Sequence, residues 1–246
     1  MKALVLFSGG IDSTTALGLA INKYGKDQVI ALSVSYGQKH DKEIKAAIAV
    51  AKYYGVEHLF LDLSKIFQYS NCSLLQQSTE DIPEESYAEQ ISKTNGDKPV
   101  STYVPFRNGL FLSSAASIAL SKDCEVIYYG AHADDSAGFA YPDCSPVFNQ
   151  AMNEAIWEGS GHQLKIEAPF VNVSKDYNPY CTLFADFPIV LNFLFLSSLS
   201  PLSQRRIFHL ICLKCRCSIN ACSTFSARLL SAFVTGPGQL VRNPQF

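Results

Sequence analysis

The sequence predicts an α/β domain built on a parallel, twisted sheet with helices on both faces. Three observations lead there. Short apolar runs alternate with amphipathic stretches of helical period, which implies parallel strands joined by right-handed crossovers. The first apolar run ends in a Gly-Gly pair that opens directly onto a helix. Composition then breaks near Asp176: residues 1–175 hold 20 of the 22 acids, and residues 176–246 hold only Asp176 and Asp186. The α/β domain is therefore expected over 1–175, followed by an atypical, cysteine-containing tail over 176–246.

The first strand is read from Leu4-Val5-Leu6-Phe7, an apolar run of buried type. Gly9 and Gly10 permit a tight turn and let a ligand approach the backbone. Asp12, Ser13 and Thr14 offer N-caps for a helix continuing through Ala16, Leu17, Leu19 and Ala20. Strand, turn and helix N-terminus make an anion cradle, with N–H groups and the positive end of the helix dipole aimed at one spot. There is no Walker A lysine and no G-x-G-x-x-G. Backbone N–H groups and the hydroxyls of Ser8, Ser13 and Thr14 remain to hold a pyrophosphate. A lone Gly-Gly pair would mean only a strand–turn–helix; S-G-G-x-D-S after the first strand is far more specific. Ser8 to Ser13 resembles the pyrophosphate loop of the N-type ATP pyrophosphatases, which split ATP between the α- and β-phosphates to adenylate an acid, amide or carbonyl oxygen.

A second strand follows at Val29–Ser35, then a polar loop, Tyr36 to His40. A helix is expected from about Asp41 to Tyr54, with Ile44, Ala47, Ile48 and Ala51 on one face and Gly55 ending it. Glu57 to Leu63 is the third strand. Ligands of such sheets sit beyond the carboxyl ends of the strands, so Ser8, Tyr36 and Asp62 are expected in one crevice. The long polar stretch 64–101 reads as a mobile lid with a short helix. Val100 to Pro105 is extended, and Arg107 and Asn108 stand at the entrance of an apolar helix, Gly109 to Leu120. Arginine offers a planar fork for phosphate or carboxylate, although an arginine there also fits a surface ion pair. Glu125 to Gly130 is the fourth strand and empties into a loop holding His132, Asp134, Asp135, Tyr141 and Asp143. Acids at a strand's carboxyl end suit Mg²⁺ or a substrate amine; elsewhere they would read as a solvated loop. Ser145 and Pro146 start a further helix to Trp157, and Leu164 to Ala168 is the fifth strand.

Taken together, Phe7 to Thr15, Tyr36-Gly37-Gln38-Lys39-His40, Val104-Pro105-Phe106-Arg107-Asn108, Gly130 to Asp135, Tyr141-Pro142-Asp143-Cys144 and Glu167-Ala168-Pro169-Phe170 resemble the 7-cyano-7-deazaguanine synthase family. The resemblance covers about residues 1–175. It implies a Rossmann-like sheet of the HUP/ATP pyrophosphatase type, in an enzyme that turns 7-carboxy-7-deazaguanine and ammonia into the nitrile with two ATP, for queuosine synthesis. Carried over by position, Phe7, Ser8, Gly9, Gly10, Ile11, Asp12, Ser13, Thr14, Thr15, Ala16 and Leu17 hold ATP. Arg107, Asn108, His132, Asp134, Asp135, Tyr141 and Asp143 face the substrate or Mg²⁺. Relatives imply a homodimer.

The resemblance also implies a structural Zn²⁺ on four cysteines, including a C-x-x-C-x-x-C run. This chain instead has Cys212, Cys215, Cys217 and Cys222, spaced C-x2-C-x-C-x4-C. The one-residue gap strains a four-thiolate wrap, so weak or no zinc is expected. The loss of acids points to a change of reading frame near residue 176. The apolar run Phe187 to Leu202 carries Asn192, Ser197, Ser198 and Pro201 and falls short of a membrane span. Net charge of −2 gives no nucleic-acid surface. The chain opens without a basic and apolar leader, so a cytoplasmic setting is expected, with the cysteines reduced. Two other functions fit the motifs: another ATP pyrophosphatase acting on a tRNA base or small acid, and an inactive nucleotide-binding relative disabled by the altered tail.

Overall fold

Five parallel strands lie in the order β3-β2-β1-β4-β5: β1 Ala3–Leu6, β2 Val29–Ser35, β3 Glu57–Asp62, β4 Val126–Tyr128 and β5 Lys165–Glu167. This is a computed structural model; it describes residues 1–39, 42–83, 89–90 and 99–173, all within one unit, Met1–Tyr177. The tail from 176 and its four candidate zinc cysteines lie outside the described residues.

Helices cover both faces: α1 Ile11–Tyr24, α2 Lys42–Tyr54, α3 Ser64–Phe67, α4 Arg107–Ser121 and α5 Pro146–Gly159. Alternation along each strand sorts the core into two layers. Leu4, Ile30, Leu32 and Ile127 pack with Leu112, Ala115 and Ala119 of α4 and Ile156 of α5. Ala3, Val5, Ala31 and Val126 pack with Ala16, Leu17 and Ala20 of α1 and Ala47, Val50 and Ala51 of α2. The central strand β1 is covered on both sides, which is why it reads as an unbroken apolar run. Truncating Leu4 or Leu112 to Ala would cost roughly 2–5 kcal/mol, the usual penalty for a core cavity. The edge strand β3 leaves Phe60 exposed.

Helix starts differ from expectation in two places. α1 begins at Ile11 with Gly10 as its N-cap, so Asp12, Ser13 and Thr14 lie inside the first turn and do not cap it. The hydroxyls of Ser13 and Thr14 donate back to the Gly10 carbonyl, at 3.0 and 2.8 Å. α4 begins at Arg107, two residues early, because Phe106 takes a left-handed conformation and turns the chain into the helix. The start of α5 is as the sequence predicts: Ser145 Oγ accepts from the Phe148 N–H at 3.1 Å, with Pro146 in the first turn.

The stretch expected to be a mobile lid is a packed segment over its first third. α3 is the short helix. Phe67, Cys72 and Leu75 join Val104 in a third core cluster, with Tyr36 and Phe111 against it. The Lys39 N–H donates to Leu74 O at 2.9 Å and the Gln76 N–H to Gly37 O at 2.8 Å. Apolar side chains spaced through 67–75 give this segment something to bury, and burial opposes detachment. Of the rest of the expected lid, residues 84–88 and 91–98 lie outside the described residues. No helix among the described residues is long and apolar enough to cross a membrane.

Candidate active site

The strand order reverses between β1 and β4, and crevices for ligands open at such a switch point. The loop leaving β1 is rooted by the Phe7 N–H, which donates to Leu32 O at 2.8 Å. Gly9 has φ +83°, and a Cβ there would lie 2.5 Å from Glu43 O and 2.6 Å from Ala47 N. The loop is thus seated on the backbone of α2. Ser8 Oγ accepts from the Gly10 N–H at 3.2 Å and pairs with Ser13 Oγ at 3.1 Å; Ser13 Oγ also accepts from the Ser8 N–H at 3.2 Å. The two serines therefore shape the loop from within. Contact with an anion falls to the backbone N–H groups of the first turn of α1, backed by the helix dipole.

The loop leaving β4 meets this helix from the other side of the switch point. A Cβ on Gly130 would stand 3.1 Å from Asp12, so the two chains nearly touch. His132 is fully buried. Its Nε2 lies 3.1 Å from Asp12 Oδ1, its Nδ1 lies 3.2 Å from the Val173 carbonyl, and its ring stacks on Phe170 at 5.1 Å. A carbonyl only accepts, and an ionised carboxylate only accepts. The Val173 carbonyl therefore accepts from Nδ1. Asp134 and Asp135 follow, half-buried, on a 3-10 turn, Ala133–Phe139; the Asp135 N–H donates to His132 O at 3.2 Å.

A second cluster forms where α4 begins. The Asn108 N–H donates to Asp143 Oδ2 at 2.8 Å, and Asn108 Nδ2 to the Asp143 carbonyl at 3.1 Å. Asp143 thus caps α4 from a distant loop, supplying the acceptor that the N-cap Phe106 lacks. Arg107 donates to Tyr36 Oη at 3.2 Å and lies over the Tyr36 ring, 5.2 Å from its centre. Burial opposes the Arg107 charge, but the Tyr36 phenol and the Asp143 carboxylate outweigh it and raise the guanidinium pKa. Burial pushes the Asp143 carboxyl up from the ordinary range, while the Asn108 N–H and Arg107 pull it down. Tyr141 and Thr102 share a hydroxyl hydrogen bond beside this cluster. Cys144, bonded by Asn108 Nδ2 at 3.1 Å, is pushed up to about 12 by burial. Its thiol stays protonated near neutral pH and is no nucleophile.

The model of the family described as "Queuosine biosynthesis protein QueC" matches residues 2–183. Curated relatives include a 7-cyano-7-deazaguanine synthase of Oceanobacillus iheyensis, 40% identical over 177 residues, 71% of this chain and 74% of that one. Another, from Pseudoalteromonas atlantica, is 41% identical over 174 residues, again 71% of this chain and 74% of its own. This chain belongs to the QueC family. Among solved structures it is distantly similar to an NH3-dependent NAD synthetase of Campylobacter jejuni. There the TM-score is 0.46 and identity 12%, over 98% of this chain and 89% of that chain.

The QueC-family loops therefore assemble as two groups. Phe7 to Leu17, the expected ATP residues, form the loop after β1 and the start of α1; Ala16 and Leu17 are core residues beneath it. Arg107, Asn108, Tyr141 and Asp143 gather at the start of α4. His132, expected on the substrate or Mg²⁺ side, is fully buried and faces Asp12 of α1. Asp143 is likewise committed to capping α4. Ser8, Tyr36 and Asp62 lie at the carboxyl ends of the adjacent strands β1, β2 and β3, each with its own partners: Ser8 bonds within its loop and Tyr36 joins Arg107. Asp62 Oδ1 accepts from the Ser64 N–H at 2.9 Å and starts α3. Phe170, Val173 and Thr102 were missed as site residues, since their roles come from contacts over 38 to 41 positions along the chain. Among the described residues there is no group of three or more His, Cys, Asp or Glu able to hold a metal ion.

Proposed function

We propose that this chain converts 7-carboxy-7-deazaguanine and ammonia to 7-cyano-7-deazaguanine at the expense of ATP, in queuosine biosynthesis. The observation that carries the reading is family membership, with relatives bearing that enzyme name at 40–41% identity across the part holding both clusters. The phosphate loop, Phe7 to Thr15, takes the ATP phosphates on backbone N–H groups at the start of α1. Gly9 lets the loop sit directly on the α2 backbone, and Gly130 lets the β4 exit sit against Asp12, which holds the head of α1 in place for the phosphates. The Mg²⁺ that accompanies ATP would be carried by the phosphates, with the partly exposed Asp12 as the carboxylate at the head of α1 within reach of them.

The substrate carboxylate oxygen attacks the α-phosphorus and pyrophosphate leaves. Ammonia then attacks the acyl carbon and AMP leaves, giving an amide. The amide oxygen attacks the α-phosphorus of a second ATP, pyrophosphate and one amide proton leave, and elimination of AMP with the remaining N–H proton gives the nitrile. Arg107 is the residue for the substrate carboxylate: it is a fork held in place by Tyr36, with donors beyond the one used there. Holding acid and ATP together supplies much of the rate. The reading carries a small-molecule substrate, without nucleic acid or membrane, in a cytoplasmic homodimer. AMP and nitrile should form with 7-carboxy-7-deazaguanine and not with other small acids; AMP release with every acid tried would reject the assignment.

The domain boundary near residue 175 belongs to the same reading. The family match stops at residue 183, close to the break in composition. We take the tail beyond 176 as a product of another reading frame, binding zinc weakly or not at all. Translating the other two frames past codon 175 tests this; absence of a C-x-x-C-x-x-C run from both rejects it. One tightly held zinc per purified chain, lost when Cys212 and Cys215 become Ser, would restore a metal site.

A further inference from the structure

We infer that His132 is a positioning residue for ATP: it fixes the Asp12 carboxylate at the head of α1 and fastens the segment after β5 to the phosphate loop. The inference rests on the ATP-dependent reading above. His132 is fully buried and its ring touches a different part of the chain on each side. One nitrogen faces Asp12 at 3.1 Å, the other the Val173 carbonyl at 3.2 Å, and the ring plane lies 12° from that of Phe170. Asp12 is itself only partly covered, with 37% of its side chain exposed, so one side of the carboxylate is anchored while the residue still reaches solvent. That is the arrangement needed to aim a carboxylate at a ligand without a rotamer search on binding. A group locked by packing and a supporting hydrogen bond spends less conformational entropy when it engages.

The backbone gives the bridge its short reach. A Cβ on Gly130 would stand 3.1 Å from Asp12, so the β4 exit runs close against the head of α1, and His132 follows two residues later. The Asp135 N–H returns to the His132 carbonyl, so the histidine is held at its own backbone as well. Residues 170–173 then lie against the far side of the ring. The Val173 N–H donates to Phe170 O at 2.9 Å, which closes that segment into a turn. Through one imidazole, the last described residues of the domain are tied to the loop that cradles phosphate.

Three variants of the full-length chain separate positioning from mere filling of the core. His132→Phe keeps an aromatic ring for Phe170 and removes both polar contacts. His132→Gln retains a donor that can reach Asp12. Asp12→Asn removes the charge that His132 holds. The probe is α,β-methylene-ATP with Mg²⁺, followed by equilibrium dialysis alongside thermal unfolding. Expected is a Kd at least about tenfold weaker for His132→Phe, the scale of one hydrogen bond to a charged group. His132→Gln should recover to within about threefold of wild type. In the His132→Phe, Asp12→Asn double variant the losses should be far from additive, because one residue acts through the other. A folded His132→Phe chain that binds within twofold of wild type overturns the inference. So does additive loss in the double variant, which would mark His132 as structural only. If His132→Phe does not fold, His132→Leu, which also removes both polar contacts, replaces it in the binding comparison and in the cycle with Asp12→Asn, with the same criteria. Failure of the wild-type chain to bind the analogue would remove the ATP reading and this inference together; binding by wild type with an indifferent His132 removes this inference alone.

Discussion

The loop after β1 and the Arg107 cluster are built differently. In the loop, side-chain bonds join residues two to five apart: Ser8 to Gly10 and Ser13, and Ser13 and Thr14 to Gly10. In the cluster they join residues 35, 39 and 71 apart: Asn108 to Asp143, Thr102 to Tyr141, and Arg107 to Tyr36. The loop needs only local backbone geometry and a sheet to stand on. The cluster exists only when β2, α4 and the 141–144 turn are all in place. Damage to the loop should therefore be local and severe, and damage to the cluster graded.

The sharpest way to break that contrast is Gly9→Ala. The added Cβ meets the backbone of α2 at 2.5 and 2.6 Å, at a φ of +83°. Backbone cannot swing aside as a long side chain can, and a left-handed alanine adds strain of order 1 kcal/mol or more by itself. The loop must lift off α2, so nucleotide binding is expected to vanish, with a clear fall in melting temperature. Binding at wild-type strength would show that the loop does not need its seat. Asp12→Ala comes next. It leaves the buried His132 Nε2 without its carboxylate partner, so AMP formation should be abolished and stability should fall by about 1–3 kcal/mol. Wild-type turnover would remove Asp12 from the site.

Arg107→Lys tests the cluster. Lysine keeps the charge and loses the fork and its stacking on Tyr36. Turnover should fall by about tenfold or more, with the loss in KM for 7-carboxy-7-deazaguanine larger than that for ATP, on the scale of about 1.5–3 kcal/mol for one charge-assisted contact. An equal effect on both substrates would merge the two groups into one site and end the comparison.

The same contrast explains what could be read before the fold was known. The α/β class, all five strands and the start of α5 follow from local signals: apolar runs, amphipathic period, and a Ser-Pro helix start. The start of α1 was misplaced because three good capping residues, Asp12, Ser13 and Thr14, follow a glycine that caps with backbone alone. The start of α4 was missed because its cap acceptor, Asp143, lies far downstream. Asp62 was drawn into the crevice by its place at a strand end, yet it belongs to the edge strand and starts α3. His132 was picked out by its place after a strand end, but nothing local could show that its partners are Asp12 and Val173. The lid over 64–101 was read from polarity and length; Phe67 and Leu75, which pin its first part, are spaced without a period and leave no signature.

The smallest expected effect belongs to Asp143, and it turns on pH. Its carboxyl is buried, and burial raises its pKa above the ordinary value, while the Asn108 N–H and Arg107 only partly offset this. A carboxyl whose folded pKa lies above its unfolded one favours the folded state most when protonated. That contribution is full below the unfolded pKa, near about 3.9, and is lost as pH rises through the raised folded value. In Asp143→Asn the side chain cannot ionise, yet its amide oxygen can still accept from the Asn108 N–H and cap α4. The stability of wild type relative to Asp143→Asn should therefore fall as pH rises through that window, and the difference should be flat above it. Asp143→Ala removes the acceptor altogether and should cost about 0.5–2 kcal/mol at every pH, as a lost helix cap does. Urea unfolding of the three chains from acid to neutral pH measures both effects. A wild-type advantage over Asp143→Asn that grows with pH would mean that Arg107 governs the carboxylate more strongly than burial does, and that the cluster is held together as an ion pair.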